Sequence, residues 1–563
     1  MKVYNIITKI LLCFIVLSGC TKDFAEINKN PDAINDPDLG YMFSNIANGF
    51  QERYSEYYFE HWQFISRFSQ QYVHTNGFDL TFNRFNTFTD RIDWFYTILR
   101  NTYDMREKID AMNESDKAAR QKMYYTTFIP EVYWGLRNTM FYGSLVYSEA
   151  MKAKEGKYSA PYDMQEDLLK AWLANLDKAI VELEKADPVI QLNFNKGDFI
   201  FKNDWKKWAQ TANALKYRIA SYLINKDEAW AKRIVQEVEA STSGLYASSA
   251  QGDQLLFMPA SNFRGQANDM ATEFWAAENF VNFLKANDDP RLKIFFRPNS
   301  FSTANIDSMI KYNSTLPAIL DYQNDPLYRY QGAPVSPDDQ NLPEYWGNYS
   351  YQTTRLYAVS RLNRRLWSAS FEAGTGYMAE PIITTAEVYL LKAEFIKRGY
   401  ITGNAEEWYN KGVRASLETF RFIADNANLQ DYSAFPESDI TAYLAKPDVK
   451  LDGTTKDLEK IIIQQYINLF RSPSVTWDLI RRSGFPAENS TILKYSPMTS
   501  AGVRLPVPRR STFLKPSIQF MLEDWEKGMT AQGFTPNVVD AVTLHDQRLW
   551  IDSNNPDYGK GLQ

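Results

Sequence analysis

Cysteine is nearly absent from this 563-residue chain: two occur, Cys13 and Cys20, both close to the start. A disulfide-stapled scaffold is excluded, and beyond Cys20 no thiol remains to act as a nucleophile or to bind zinc. Histidine is almost as scarce, with only His61, His74 and His545, which leaves little room for a His-rich metal centre. Positive charge is not in excess: 62 Lys and Arg stand against 68 Asp and Glu, so the basic footprint of a nucleic-acid binder is missing. Beyond the leader no apolar run approaches the roughly 20 residues needed to cross a bilayer. No G-x-S-x-G, H-E-x-x-H or C-x-x-C string occurs. What is abundant is aromatic: 35 Tyr, 35 Phe and 14 Trp make up 15% of a chain whose mean hydropathy is −0.44. That composition belongs to a folded globular body, either several units or one large repeat-built one.

The N-terminus reads as an address. Lys2 and Lys9 supply a positive start, and residues 10–17 form an apolar run too short to span a membrane. The run ends in Leu17-Ser18-Gly19-Cys20, which resembles a bacterial lipobox. In lipoproteins of that kind the leader is cut before the cysteine, and acyl chains on its thiol and new amine anchor the protein to a membrane it does not cross. The expectation is a signal peptide at 1–19, lipidation at Cys20 and a single mature body at 20–563. The alternative is an ordinary signal peptide with a chance cysteine. Lys22-Asp23 resembles the charged tags of surface-exposed lipoproteins in Bacteroidetes, which points to the cell exterior.

From 39 to about 285 the pattern is helical. Trp205, Trp208, Ala212, Leu215, Ile219 and Tyr222 recur at three and four residues, the spacing of one buried helical face. Leu169, Trp172, Leu173, Leu176, Ile180 and Leu183 do the same until Asp187-Pro188. Helical pairs resume from 381 to about 530. Thr384-x-x-Glu387 predicts a capping box opening a helix that Gly399 closes, and Asn404-x-x-Glu407 caps the next. Tyr389, Ala393, Ile396, Ala405, Tyr409 and Gly412 fit the large-small-large pattern of a tetratricopeptide repeat. The spacing assigns Trp94, Trp134, Trp172, Trp205 and Trp408 to core faces. The fold class is thus mainly α, a tetratricopeptide-like helical-repeat scaffold carrying a large irregular, loop-rich portion at about 288–380.

Loops rich in aromatics but poor in aliphatics predict a contact surface. One lies between Asn76 and Asp90 and holds Phe78 and Phe85; another holds Tyr345, Trp346 and Tyr349, followed by Arg364 and Trp367. Flat rings pack on the C–H faces of sugars while amides and guanidinium groups hydrogen-bond hydroxyls, and the same chemistry accepts peptides. These seven residues are the candidate ligand contacts. Two lookalikes are set aside. Gly374-x-Gly376-x-x-Ala379 lacks the strand–turn–helix context of a dinucleotide loop, since Pro381 follows. Asp448 to Glu459 has the Asp, Gly and Glu of a calcium loop at some positions but lysines at two where oxygen donors are needed. It reads as a loop and helix start capped by Thr454 or Thr455; no cofactor or metal is expected, and structural calcium is a minor alternative. No catalytic residues are assigned, although a carboxylate pair at glycosidase spacing is invisible in sequence.

Several stretches in order resemble the SusD/RagB family of nutrient-binding outer-membrane lipoproteins. They are Phe24 to Pro31, the helix over 205–220, Asp289-Pro290-Arg291-Leu292, and the run from Pro381 to Glu394 followed by Tyr409 to Ser416. Ile462 to Tyr466, Trp477 to Pro486 with Arg481 and Arg482, and Arg504 to Pro508 complete the series. The chain departs where Arg509, Arg510 and Ser511 replace the acidic residue and asparagine of many members, which puts the local packing there in question. The resemblance implies a helical scaffold with an irregular ligand-facing part, and a partner: members sit as lids over a SusC-type TonB-dependent barrel. It implies an oligosaccharide ligand, with oligopeptide as the alternative, and binding without chemistry. A lipid-anchored glycoside hydrolase and a purely structural repeat protein are the remaining readings.

Overall fold

A computed structural model of the chain describes residues 37–562 except 52–55, 57–64, 75–89, 259–273, 340–348, 352–353, 368–375 and single positions 430, 514, 537 and 539. The leader, Cys20, His61, Phe78, Phe85, Tyr345 and Trp346 lie outside the described residues.

The first helical stretch comprises α1 (Leu39–Asn48), α2 (Asp90–Asp110), α3 (Phe128–Tyr142), α4 (Gln165–Glu184), α5 (Trp205–Leu223) and α6 (Glu228–Ala240), with shorter helices between α2 and α3. Helix α1 begins where the Asp38 carboxylate accepts the Gly40 N–H at 2.8 Å, and α5 where the Asp204 carboxylate accepts the Lys207 N–H at 3.2 Å. The predicted single buried face of α5 is an underestimate: all residues from Trp208 to Leu223 are buried. The helix sits centrally, packed on α3, α4 and α6, so its polar residues need internal partners. Lys216 finds Asp177 at 2.5 Å and Glu237 at 2.9 Å, and Arg218 finds Glu387 at 2.7 Å.

After α7 (Glu278–Ala286), the second stretch holds α8 (Thr385–Lys397), α9 (Ala405–Asn426), α10 (Asp457–Asn468) and α11 (Pro473–Ser483). The predicted hairpin is α8 and α9. The Thr384 hydroxyl accepts the Glu387 N–H at 3.1 Å, but Glu387 turns its carboxylate to Arg218, so half the capping box forms. Gly399 takes the left-handed conformation that ends α8 (φ 74), and Asn404 caps α9 at 3.2 Å. Gly412 permits the close approach, since a Cβ there would lie 2.7 Å from Leu390 Cγ. Trp134 and Trp172 are fully buried, as predicted. Trp94, Trp205 and Trp408 are only half-buried at the edge of the core, Trp408 carrying Lys392 and Lys411 on its ring at 4.1 and 4.6 Å.

Gly484, left-handed at φ 67, stops α11, and the next helix of ten residues or more is Leu522–Ala531. The irregular middle contains a helix, Thr303–Lys311, capped by Ser302, and builds its own small core from Phe301, Ile306, Met309, Leu320, Leu356 and Ala358. The cap expected from Thr454 or Thr455 is absent: α10 starts after Lys456, and the Asp457 carboxylate instead accepts the N–H groups of Asp452 and Gly453 at 3.0 and 3.1 Å.

Short strands interrupt the helices. β1 (Tyr72–His74), β3 (Phe274–Ala276), β7 (Arg361–Leu362) and β4 (Phe296–Arg297) form one sheet in the order β1-β3-β7-β4. β2 (Leu255–Phe257) pairs with β8 (Glu380–Ile383), β5 (Tyr349–Tyr351) with β6 (Thr354–Leu356), and β9 (Thr499–Ser500) with β10 (Val503–Arg504).

The residues that carried the family resemblance are largely buried charge clamps. Arg291 is fully buried; it pairs with Asp289 at 2.7 Å and donates to Ser416, Tyr443 and Gln464, tying the irregular middle to α9 and α10. Arg482 pairs with Glu394, and Arg481 with Asp478 while donating to the Met140 and Arg509 carbonyls. Even the departing Arg509 is satisfied, bound by the two Asp552 oxygens at 2.6 Å each.

Candidate ligand-binding face

The four-stranded sheet brings the roots of two aromatic or irregular segments together. His74 ends β1 and pairs with Phe274, which begins β3. β7 then sets Arg361 opposite Trp275. The Arg361 guanidinium lies 4.9 Å from the Trp275 ring and 4.4 Å from that of half-buried Tyr357, and the two rings are 5.3 Å apart. This stack fixes the segment between β6 and β7.

Next to it is a polar cavity of about 230 Å³ lined by Gln70, Glu278, Asn279, Ser336, Asp339 and Ser496, among others. Its walls are pre-set. Gln70 adopts the left-handed conformation (φ 58) and clamps Ser496, donating to its carbonyl at 2.6 Å and accepting its N–H at 2.9 Å. Asn279 donates to the Lys494 carbonyl at 2.9 Å and to the Ser496 hydroxyl at 2.6 Å. Ser336 is tied to Thr499, and the Asp338 carboxylate accepts the N–H groups of Ala501 and Gly502 at 2.6 and 3.0 Å. Hydrogen bonds from Thr499, Gly502 and Ala501 hold Asp338 below the usual carboxylate range, so it stays charged at neutral pH. Asp339 is the last described residue before 340–348, the segment containing Tyr345 and Trp346. Rigid carboxylate, amide and hydroxyl groups at the root of an aromatic segment are the components of polyhydroxylated-ligand recognition.

The other sequence candidates are placed individually. Tyr349 is half-buried in β5, its ring edge-on to Phe301 at 5.8 Å, on the small second core. Arg364 is half-buried in a 3-10 turn. Trp367 is corrected: it is fully buried, with Tyr72 at 6.1 Å and Phe470 at 5.7 Å against its ring and the Arg471 guanidinium 4.6 Å away. Its faces are occupied by the core and present nothing to a ligand.

Gln70, Glu278, Asn279, Ser336 and Ser496 were missed because they stand at helix ends and in loops, where no periodicity marks them, and four parts of the chain must meet to form the cavity. In the calcium-loop lookalike, Asp452 pairs with Lys460 at 3.1 Å and Asp457 with Lys397 at 2.8 Å. Among the described residues no group of three or more His, Cys, Asp or Glu is placed to hold a metal ion. Likewise no described helix is long and apolar enough to cross a membrane.

A profile for SusD-like proteins, described as starch-binding and associating with the outer membrane, matches residues 31–513. The chain belongs to the SusD-like family. Solved structures agree in fold. A SusD homologue from Bacteroides fragilis is 19% identical with a TM-score of 0.68, covering 92% of this chain and 100% of its own. A chitin-binding protein is 20% identical with a TM-score of 0.67, covering 92% of this chain and 99% of its own. A chitin-binding SusD homologue from Flavobacterium johnsoniae is 18% identical with a TM-score of 0.65 and the same coverage. No curated protein matches. The mainly helical SusD-like fold with irregular loops is therefore the observed one, and this family is one of outer-membrane nutrient binders.

Proposed function

We propose that this SusD-like chain is a lipid-anchored protein on the outer face of the outer membrane that captures oligosaccharides and passes them, chemically unchanged, to a SusC-type TonB-dependent transporter. The observation that carries the reading is the pre-set polar cavity at the root of 340–348, in a chain matched over 31–513 by a starch-binding, outer-membrane family. Glu278, Asn279 and Asp339 take the hydroxyls, while Tyr345 and Trp346 supply ring faces to the sugar, with Phe78 and Phe85 on the second segment. The chitin-binding relatives make neutral glycans the first ligands to try.

The test is calorimetry of the purified mature chain with malto- and chito-oligosaccharides, followed by chromatography of the recovered sugar. Expected is binding with unaltered sugar, weakened in Tyr345→Ala and Trp346→Ala by about 1–3 kcal/mol per lost stacking partner, by analogy with base–aromatic stacking. Full affinity in both variants rejects this placement. Binding of short peptides and of no glycan moves the reading to an oligopeptide receptor; shortened sugars whose release stops on replacing a carboxylate pair move it to a hydrolase. Cys20→Ala is expected to release the protein from the membrane fraction and abolish its acyl labelling. Co-purification of the wild-type protein with a barrel transporter tests the partner.

A further inference from the structure

A second concavity is built from the C-terminal part of the chain. It encloses about 410 Å³, within the range of small-molecule sites, and is lined by Tyr495, Met498, Leu505, Pro506, Val507 and Val542 with Arg504, His545, Asp557, Tyr558 and Lys560. It shares no lining residue with the polar cavity. Tyr495 and Met498 face this groove, while Ser496 and Pro497 line the other.

Its chemistry differs from that of a sugar site. Tyr495 and Tyr558 are each only 3% exposed, so no flat ring face is open to pack on a pyranose. The open apolar surface is aliphatic, made by half-buried Leu505 and Pro506 and by Val542, which is 56% exposed, while Met498 and Val507 are buried. Charge is lopsided. Arg504 and Lys560 share a single carboxylate oxygen, Glu488 Oε1, at 2.7 and 3.7 Å, and both cations are about half exposed. Asp557, the acidic lining residue, is already paired with Arg548. Among the described residues three cations here, Arg504, Lys560 and Arg548, pair with two carboxylates, Glu488 and Asp557, which leaves one positive charge in excess beside the aliphatic floor. His545 is held in place by its Nδ1–H, which donates to the Val507 carbonyl at 2.8 Å.

We infer that this groove binds a carboxylate with an aliphatic body, the carboxylate on Arg504 and Lys560 and the body over Leu505, Pro506 and Val542. A free alkanoate and the C-terminal residue of a peptide share that chemistry.

The test uses the intact mature protein with methyl-labelled methionine, titrated with hexanoate, hexanol, N-acetylleucine, N-acetylleucinamide and glucuronate. Expected are saturable shifts of the Met498 methyl signal with hexanoate or N-acetylleucine, and affinities at least about tenfold weaker for the neutral counterparts, about 1.4 kcal/mol. Arg504→Gln is expected to lose the preference for the acids, and Val542→Glu to lose binding altogether. Both positions are exposed, and unchanged thermal melts verify folding. Whichever acid binds tighter identifies the source, alkanoate or peptide end. Equal affinity for acid and neutral partners, an unaffected Arg504→Gln, no shift by either acid at millimolar concentration, or glucuronate binding tighter than hexanoate overturns the proposal. Oligosaccharide affinity is read separately and is expected to be unchanged in both variants.

Discussion

Arg482 of α11 grips Glu394 of α8 with both guanidinium prongs, Nη1 2.9 Å from Oε1 and Nη2 2.8 Å from Oε2, inside the core. Arg398 and Gln465 complete the shell around the carboxylate, at 3.0 and 2.8 Å. Burial by itself raises the Glu394 pKa; the charges of Arg482 and Arg398 and the hydrogen bonds from Arg482 and Gln465 outweigh it and hold it down to about 2. The folded pKa is thus below the unfolded one of about 4.3. The stabilisation, on the order of 3 kcal/mol, is present above that unfolded value and is lost as pH falls toward 2. Glu394→Gln leaves buried Arg482 and half-buried Arg398 without their carboxylate and is expected to cost about 3–5 kcal/mol at neutral pH. The variant is also expected to flatten the stability curve between those two pKa values. Urea midpoints of both proteins across the acid range check this; parallel curves contradict it.

Arg291 is the second clamp. It joins Asp289 to Ser416, Tyr443 and Gln464 with no solvent exposure. A lysine cannot reproduce the planar fork, so Arg291→Lys is expected to lose about 3 kcal/mol or more. Arg291→Met combined with Asp289→Ala removes both ions together. That double variant is expected to be less destabilised than the two single losses added, giving a coupling of about 1–3 kcal/mol in a double-mutant cycle. Additive losses would show the pair to be independent.

The long helices were legible because their apolar spacing is a local property: α4 and α5 lie where their leucines and tryptophans recur, and the caps at Thr384 and Asn404 are single-residue chemistry. What was not legible is set by meetings of distant chain. The sheet uses strands of two to three residues, too short for any alternation to register. Trp367 looked like a loop aromatic beside Arg364; Tyr72 and Phe470, remote in sequence, bury it. Arg509 looked like a departure until Asp552 arrived as its partner. The polar cavity draws on residues near 70, 278, 336 and 496, and only the aromatic segment beside it announced itself.

Gly412 separates propensity from packing. Alanine is the better helix former by about 1 kcal/mol. Its Cβ, however, would stand 2.7 and 2.9 Å from Leu390 Cγ and Cδ2 and 3.1 Å from the Leu390 backbone nitrogen. The backbone contact cannot be relieved by turning a side chain, so α8 and α9 must move apart. Gly412→Ala is expected to destabilise by about 1–3 kcal/mol, and Gly412→Val by more. Thermal melts decide it, and a raised midpoint in Gly412→Ala would mean that the two helices are not held at this spacing.

Trp367 distinguishes core from contact surface. Its ring is enclosed by Tyr72, Phe470 and Arg471, so Trp367→Ala opens a cavity and is expected to cost about 3–5 kcal/mol of stability. Tyr345→Ala and Trp346→Ala are expected to do the reverse, weakening oligosaccharide binding while leaving the unfolding midpoint in place. The two effects are separated by measuring affinity per folded molecule, at a temperature where Trp367→Ala remains native. Under those conditions Trp367→Ala is expected to bind like the parent protein. A Trp367→Ala protein with the parent's melting temperature and no ligand affinity would mean that the buried ring turns outward to the sugar, and the ligand face would then have to be redrawn around Trp367.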